Sequence, residues 1–239
     1  MATWIAHLRL AENLLDNIPT LDKAQFAIGN IAPDSGIPDE KWEKFSPPPA
    51  VTHFQNPQNG QRDNLDLDFY RGYLANIDPG DVGRFSFRLG YFFHLITDNL
   101  WSKLVGTPTM QRYSEQFAAD PRFIWTVKED WYGLDFIHVR DHPESLFWKV
   151  FLDAQPVDFD LDFIPRAAIE HQLQYIKTFY QKIDDEVKAS YNRPYIYLSQ
   201  VEMDGFISRA SSDLLRIYQL LWPTAPVMTG KYSALELLK

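Results

Sequence analysis

Apolar residues along this chain recur three and four positions apart far more often than at every second position. Trp4, His7, Leu8, Ala11 and Leu15 share one helical stripe. After Pro165, the series Ile169, Leu173, Ile176 and Tyr180 marks a long amphipathic segment, and a third such segment runs from about Leu198 to Leu221. Strand-like alternation is hard to find. The prolines act as separators: Pro19, Pro79, Pro108, Pro121, Pro143, Pro165 and Pro194 stand at the starts of periodic segments, where a first helical turn tolerates them. The pattern predicts an all-α fold of about seven to nine helices with little or no sheet. No repeat or linker divides it, so residues 1–239 read as one domain.

One stretch departs from that pattern. Between Gly29 and about Arg62 the chain carries Pro33, Pro38, Pro47, Pro48, Pro49 and Pro57, with Gly36 and Gly60 among them. A structureless segment longer than about 15 residues in a compact domain is usually functional or disordered. Trp42, Phe45 and Phe54 favour a long, ordered, docked loop that lines an apolar groove or simply packs. The tail after Pro223 is expected to pack loosely.

Composition narrows the chemistry. The chain has no cysteine, so disulfides, thiolate metal sites and Cys nucleophiles are excluded together. Any metal must be held by His, Asp and Glu. The formal net charge of -9 repels phosphate backbones at long range and argues against duplex nucleic acid as a partner. A bound divalent cation inverts the local field, so a phosphate ester remains open as substrate. No apolar run approaches the roughly 20 residues of a membrane span, and the opening MATWIAHLRLAENLL does not read as a signal peptide. A cytoplasmic location is the simplest expectation.

Candidate ligands fall on short islands. His7 lies on the apolar face of the opening helix. Asp34 occupies a turn between Pro33 and Gly36, and His53 lies in the Pro-rich loop. In GYFFHLITDNLW, His94 and Asp98 stand at i and i+4, on one face of a helix that is apolar nearly all round and therefore central. A buried carboxylate there must be paired, hydrogen-bonded or metal-bound. Imidazole and carboxylate without thiolate point to zinc ahead of Mn2+ or Fe2+. Plainer readings stand beside each: a core histidine at His7, a side-chain hydrogen bond between His94 and Asp98, a self-bonded turn at Asp34. Asp135 and His138, three apart in WYGLDFIH, are either further ligands or a buried hydrogen-bonded pair. His142 reads as a helix-start residue and His171 as structural.

With these islands in view, AHLRLAENLL, FAIGNIAPDSG, the loop THF and LGYFFHLITDNLW resemble the bacterial zinc-dependent phospholipase C family, distantly related to zinc-dependent single-strand nucleases. The matching pieces lie between residues 4 and about 105. The resemblance implies an all-α fold of that type, with a cluster of up to three zinc ions in a cleft between helices. It implies that Asp34, His53, His94 and Asp98 surround one metal, and that His7 joins Asp98, as a bridge, around a second. It further implies hydrolysis of a phosphoester by a metal-activated water, Asp34 accepting the proton, on a phospholipid headgroup or a soluble small-molecule phosphoester. The departures are specific. Only Met1 to Ala6 precede His7, so the family's N-terminal Trp ligand has no counterpart. Neither His138 nor His142 is followed four residues later by the family's Glu, leaving Asp135 and His138 as the available substitutes and one or two Zn2+ as the expected number. The alternative is a non-catalytic helical binding protein with a structural metal.

Overall fold

Thr3 opens the first helix by accepting the backbone N–H of Ala6, and Asp22 and Asp81 open the second and fifth in the same way. The computed structural model of the protein describes residues 1–41, 43–55, 63–222 and 232–239. Its α-helices in chain order are α1 (Trp4–Asn17), α2 (Lys23–Gly29), α3 (Pro49–Thr52), α4 (Asp66–Phe69), α5 (Val82–Trp101), α6 (Thr107–Arg112), α7 (Ser114–Ala119), α8 (Phe123–Asp141), α9 (Arg166–Tyr180), α10 (Asp185–Ser190) and α11 (Gln200–Leu221). The expectation of a mostly helical chain holds. The surplus over the predicted helices is made of one- and two-turn pieces, too short to show periodicity. The only named strands among the described residues are the two-residue β1 (Ile37–Pro38) and β2 (Phe45–Ser46), an antiparallel pair inside the Pro-rich loop.

Helix α5 is the axis of the molecule. Every residue from Phe85 to Trp101 is buried, which explains why its sequence is apolar on nearly every face. It crosses α2 at very close range. A Cβ placed on Gly29 would fall 2.0 Å from the Phe87 carbonyl oxygen, and one on Gly90 would fall 2.4 Å from that of Phe26. Only glycine permits this approach. The buried side chains form one continuous core in which α1, α2, α5, α8, α9 and α11 all take part.

The Pro-rich loop is ordered where it is described. It contains the short hairpin, the single turn of α3, and Phe54 in the left-handed region at φ 54°. A bulky residue there is strained, and the ring of Phe54 holds the conformation by packing against Phe69, Tyr73 and Phe163. Trp42, Pro57 and Gly60 lie outside the described residues.

The expected loose tail is corrected in part. Residues 223–231 lie outside the described part, but a turn of 3-10 helix at Ala234–Leu238 docks firmly. Ser233 Oγ and the Ala234 N–H both donate to Asp66, which also accepts from Asn99 on α5. His142, expected to begin a helix, instead caps the end of α8 by donating its N–H to the His138 carbonyl, and His171 is exposed on α9. No helix among the described residues is long and apolar enough to cross a membrane.

Candidate metal centre

The close crossing of α2 and α5 has a chemical result. It brings the Asn30 carbonyl, just past the end of α2, to 2.8 Å from Nδ1 of His94. A carbonyl only accepts, so Nδ1 of His94 carries the proton and Nε2 of the neutral ring presents a lone pair. His53 is set in the same way. Its Nδ1, just past the end of α3, faces the Thr52 hydroxyl at 3.1 Å and the Pro49 carbonyl at 3.2 Å, and the Tyr91 hydroxyl anchors that turn by donating to the Thr52 carbonyl at 2.6 Å. Where that Nδ1 donates to the Pro49 carbonyl, Nε2 of His53 also presents a lone pair, and the two Nε2 atoms lie 3.3 Å apart.

Carboxylates close the group. Asp34 Oδ1, from the 3-10 turn Ala32–Asp34, is 3.3 Å from His53 Nε2 and 3.9 Å from His94 Nε2. Asp98 Oδ2 is 3.5 Å from His53 Nε2 and 3.6 Å from His94 Nε2. The other oxygen of Asp98 turns towards His7, 3.4 Å from its Nε2, and accepts the Ala2 N–H at 2.8 Å. His7 stacks flat on His94, ring centres 3.9 Å apart. Two triads result, His7–His94–Asp98 and Asp34–His53–His94, in each of which the ligand atoms lie within 4.8 Å of one another.

Imidazole lone pairs and carboxylate oxygens repel when nothing positive stands between them. Both ring nitrogens of His7, and Oδ2 of Asp98, are buried without a hydrogen-bond partner. Buried polar atoms rarely stay unpaired, and cations on the two sides of Asp98 would take up His7 Nε2 and Asp98 Oδ2. The donor set therefore fits a divalent metal, with the Asn30 and Pro49 carbonyls as the outer partners that fix ligand orientation.

The electrostatics agree. Burial works against ionised Asp98, yet the N-terminal ammonium, His94 and hydrogen bonds from His7 and His94 hold its carboxyl well below the usual carboxylate range. Asp34 is likewise lowered, burial being outweighed by His94 and His53. His94 is raised because Asp98 and Asp34 outweigh its burial, whereas His7 falls to about 4 through burial and the adjoining His94. The centre thus keeps its two carboxylates ionised, as ligands of a divalent cation would have to be.

The centre forms one end of a cavity of about 270 Å³. Asp34 and His53 reach its wall, while His7, His94 and Asp98 lie behind them. Trp4, Trp125, Trp131, Tyr132 and Tyr175 also line it, as does Lys128. Phe45 of the Pro-rich loop also lines it, as the groove-lining expectation for that residue required.

The structure thus gathers His7, Asp34, His53, His94 and Asp98 and leaves Asp135 and His138 apart. Asp135 accepts from Thr3 Oγ at 2.7 Å and from the Tyr180 hydroxyl. His138 stacks on His142 at 4.1 Å, and burial together with Arg9 pushes it down to about 3. Neither belongs to a metal-competent group among the described residues, and the expected bond between them does not form; Asp135 is a helix-packing anchor instead. Missed from sequence were the Asn30 and Pro49 carbonyls, the Ala2 amide and Lys128. Backbone groups carry no residue signature, and the wall from α8 joins the site only through tertiary folding. Comparison with known protein families, with curated proteins and with solved structures finds no match for this chain.

Proposed function

We propose that the protein is a metal-dependent phosphoester hydrolase. The observation supporting it most strongly is the convergence of His53 and His94, lone pair facing lone pair, with Asp34 and Asp98 at the end of an aromatic cavity. Asp34, His53, His94 and Asp98 would hold one Zn2+, and His7 with Asp98 would hold another. A divalent cation there supplies Lewis acidity and makes water more acidic near neutral pH. Asp34 has the position of a proton acceptor: it stands on the cavity wall, and its lowered pKa keeps it ionised. His7, His94 and Asp98 orient and neutralise from behind. The aromatic wall excludes water and holds the apolar part of the ester, in keeping with a phospholipid or an apolar soluble phosphoester.

One observation favours a second reading, a binding protein with a structural metal. His7, His94, His53 and Asp98 are between 0% and 4% exposed, a degree of enclosure also found at metals that only stabilise a fold. Hydrolysis of a chromogenic phosphodiester and phosphomonoester by purified protein, with and without chelator, separates the two. The hydrolase reading expects turnover that disappears with chelation and returns with Zn2+. Bound metal without turnover on either ester supports the structural reading.

A further inference from the structure

Among the described residues, Lys128 is the only lysine or arginine side chain lining the cavity. It projects from α8 and is half-buried, and no carboxylate of a described residue lies within ion-pairing distance of it. Its recorded neighbour is the face of Trp125, 4.9 Å from the ammonium to the ring centre. Burial opposes its charge, and the only opposing influences are the more distant Asp34 and Asp98. A desolvated ammonium without a counter-ion is costly unless a ligand completes it.

A second, independent group faces the same space. Gln172 on α9 is 8% exposed, lines the cavity and has no hydrogen bond to another described residue. Its amide is therefore open to the cavity and available to a ligand there. Lys128 supplies N–H donors and Gln172 both a donor and an acceptor. The intervening wall is aromatic, which strengthens any charge interaction between them by excluding water.

We infer that Lys128 and Gln172, which line the same cavity as Asp34 and His53, form an anion-binding subsite that grips the phosphoryl oxygens of the ligand. This rests on the phosphoester reading and specifies it. With one divalent ion, the charges of Asp34 and Asp98 cancel those of the metal, and Lys128 then sets the site's net attraction for an anion. The ligand is an anionic phosphate group attached to an apolar or ring-bearing substituent that lies along Trp4, Trp131, Tyr132 and Tyr175.

The test measures binding of inorganic phosphate to zinc-loaded protein by calorimetry, in the wild type and in Lys128→Met, Lys128→Arg and Gln172→Leu. A parallel arm uses phosphatidylcholine vesicles with and without phosphatidic acid, so that a soluble and a lipid source of the same group are told apart. Lys128→Met is expected to weaken binding from whichever source is taken by about 10- to 100-fold, the worth of a hydrogen bond to a charged group. Lys128→Arg should restore most of it, and Gln172→Leu should cost less than Lys128→Met. Zinc content and helical signal must stay at wild-type levels; their loss in Lys128→Met would show the lysine acting through the fold and overturn the subsite. Equal phosphate affinity in Lys128→Met and the wild type overturns the subsite while leaving the hydrolase reading intact. A zinc-loaded wild type that takes neither phosphate nor phosphatidic acid overturns both.

Discussion

His53 and His94 meet Nε2 to Nε2 at 3.3 Å, and each has its Nδ1 held by a main-chain carbonyl. With both Nε2 atoms unprotonated, a metal ion between them would relieve the facing lone pairs. Replacing either ring removes a ligand without touching the other's carbonyl partner. His94→Ala is expected to abolish metal retention, since His94 belongs to both triads, whereas His7→Ala should spare the ion held by Asp34 and His53. Metal content after desalting, measured on both variants, checks this order; equal retention in the two would break it.

Asp98 divides its oxygens between His7 on one side and His53 and His94 on the other. Asp98→Asn keeps the shape and removes the charge that both groups share. Metal affinity should fall by 100-fold or more, by analogy with a charged interaction of about 3 kcal/mol. A competition titration against a chromophoric chelator reads it directly. Unchanged affinity would show that Asp98 bonds only to its neighbours.

Asp135 gives the opposite expectation. Its carboxyl ties Thr3 at the start of α1 to Tyr180 at the end of α9. Asp135→Asn should destabilise the fold by about 1–3 kcal/mol through a buried donor left unsatisfied, with metal content unchanged. Denaturant unfolding alongside elemental analysis tests both halves. A loss of metal would make Asp135 a ligand after all.

The glycine crossing couples fold to site. Gly29→Ala or Gly90→Ala would push α2 and α5 apart, because the added methyl meets backbone rather than a yielding side chain. The cost should reach about 3 kcal/mol or more, and the Asn30 carbonyl would leave His94. Weaker metal binding should accompany the lower stability, seen as a smaller gain in Tm on adding Zn2+. Stability lost with Zn2+ affinity intact would separate crossing from site.

Burial raises the carboxyls of Asp66 and Asp135 to about 7, partly offset by the hydrogen bonds each accepts. A folded-state pKa above the unfolded value means that the folded state binds more protons between the two. Stability from these groups is therefore complete at about pH 4 and is lost as pH rises through 7. The loss is on the order of 4 kcal/mol for each group. Asp66→Asn should flatten that slope in metal-free protein. An equally steep wild-type and variant slope would contradict the assignment.

Much of this centre is legible in the sequence and some is not. His94 and Asp98 announce themselves because an i,i+4 pair on a wholly apolar helix has no solvent to face. Asp34 and His53 are legible through the turn and the Pro-rich loop that carry them. The i,i+3 pair Asp135 and His138 misleads, since sharing a helix face does not fix which neighbouring helix each side chain meets: Asp135 finds α1 and α9, His138 finds Arg9 and His142. The tail misleads in the opposite sense. Its docking depends on Asp66, far away in sequence, and local patterning has no record of that.

The most direct test of the account is anomalous diffraction at the zinc edge from crystals of the purified, zinc-loaded protein. The account predicts a strong peak between His53 Nε2, His94 Nε2, Asp34 and Asp98, with a second peak between His7 and Asp98 where two ions bind. No peak at these residues, with the five side chains closed on one another by hydrogen bonds alone, would contradict it.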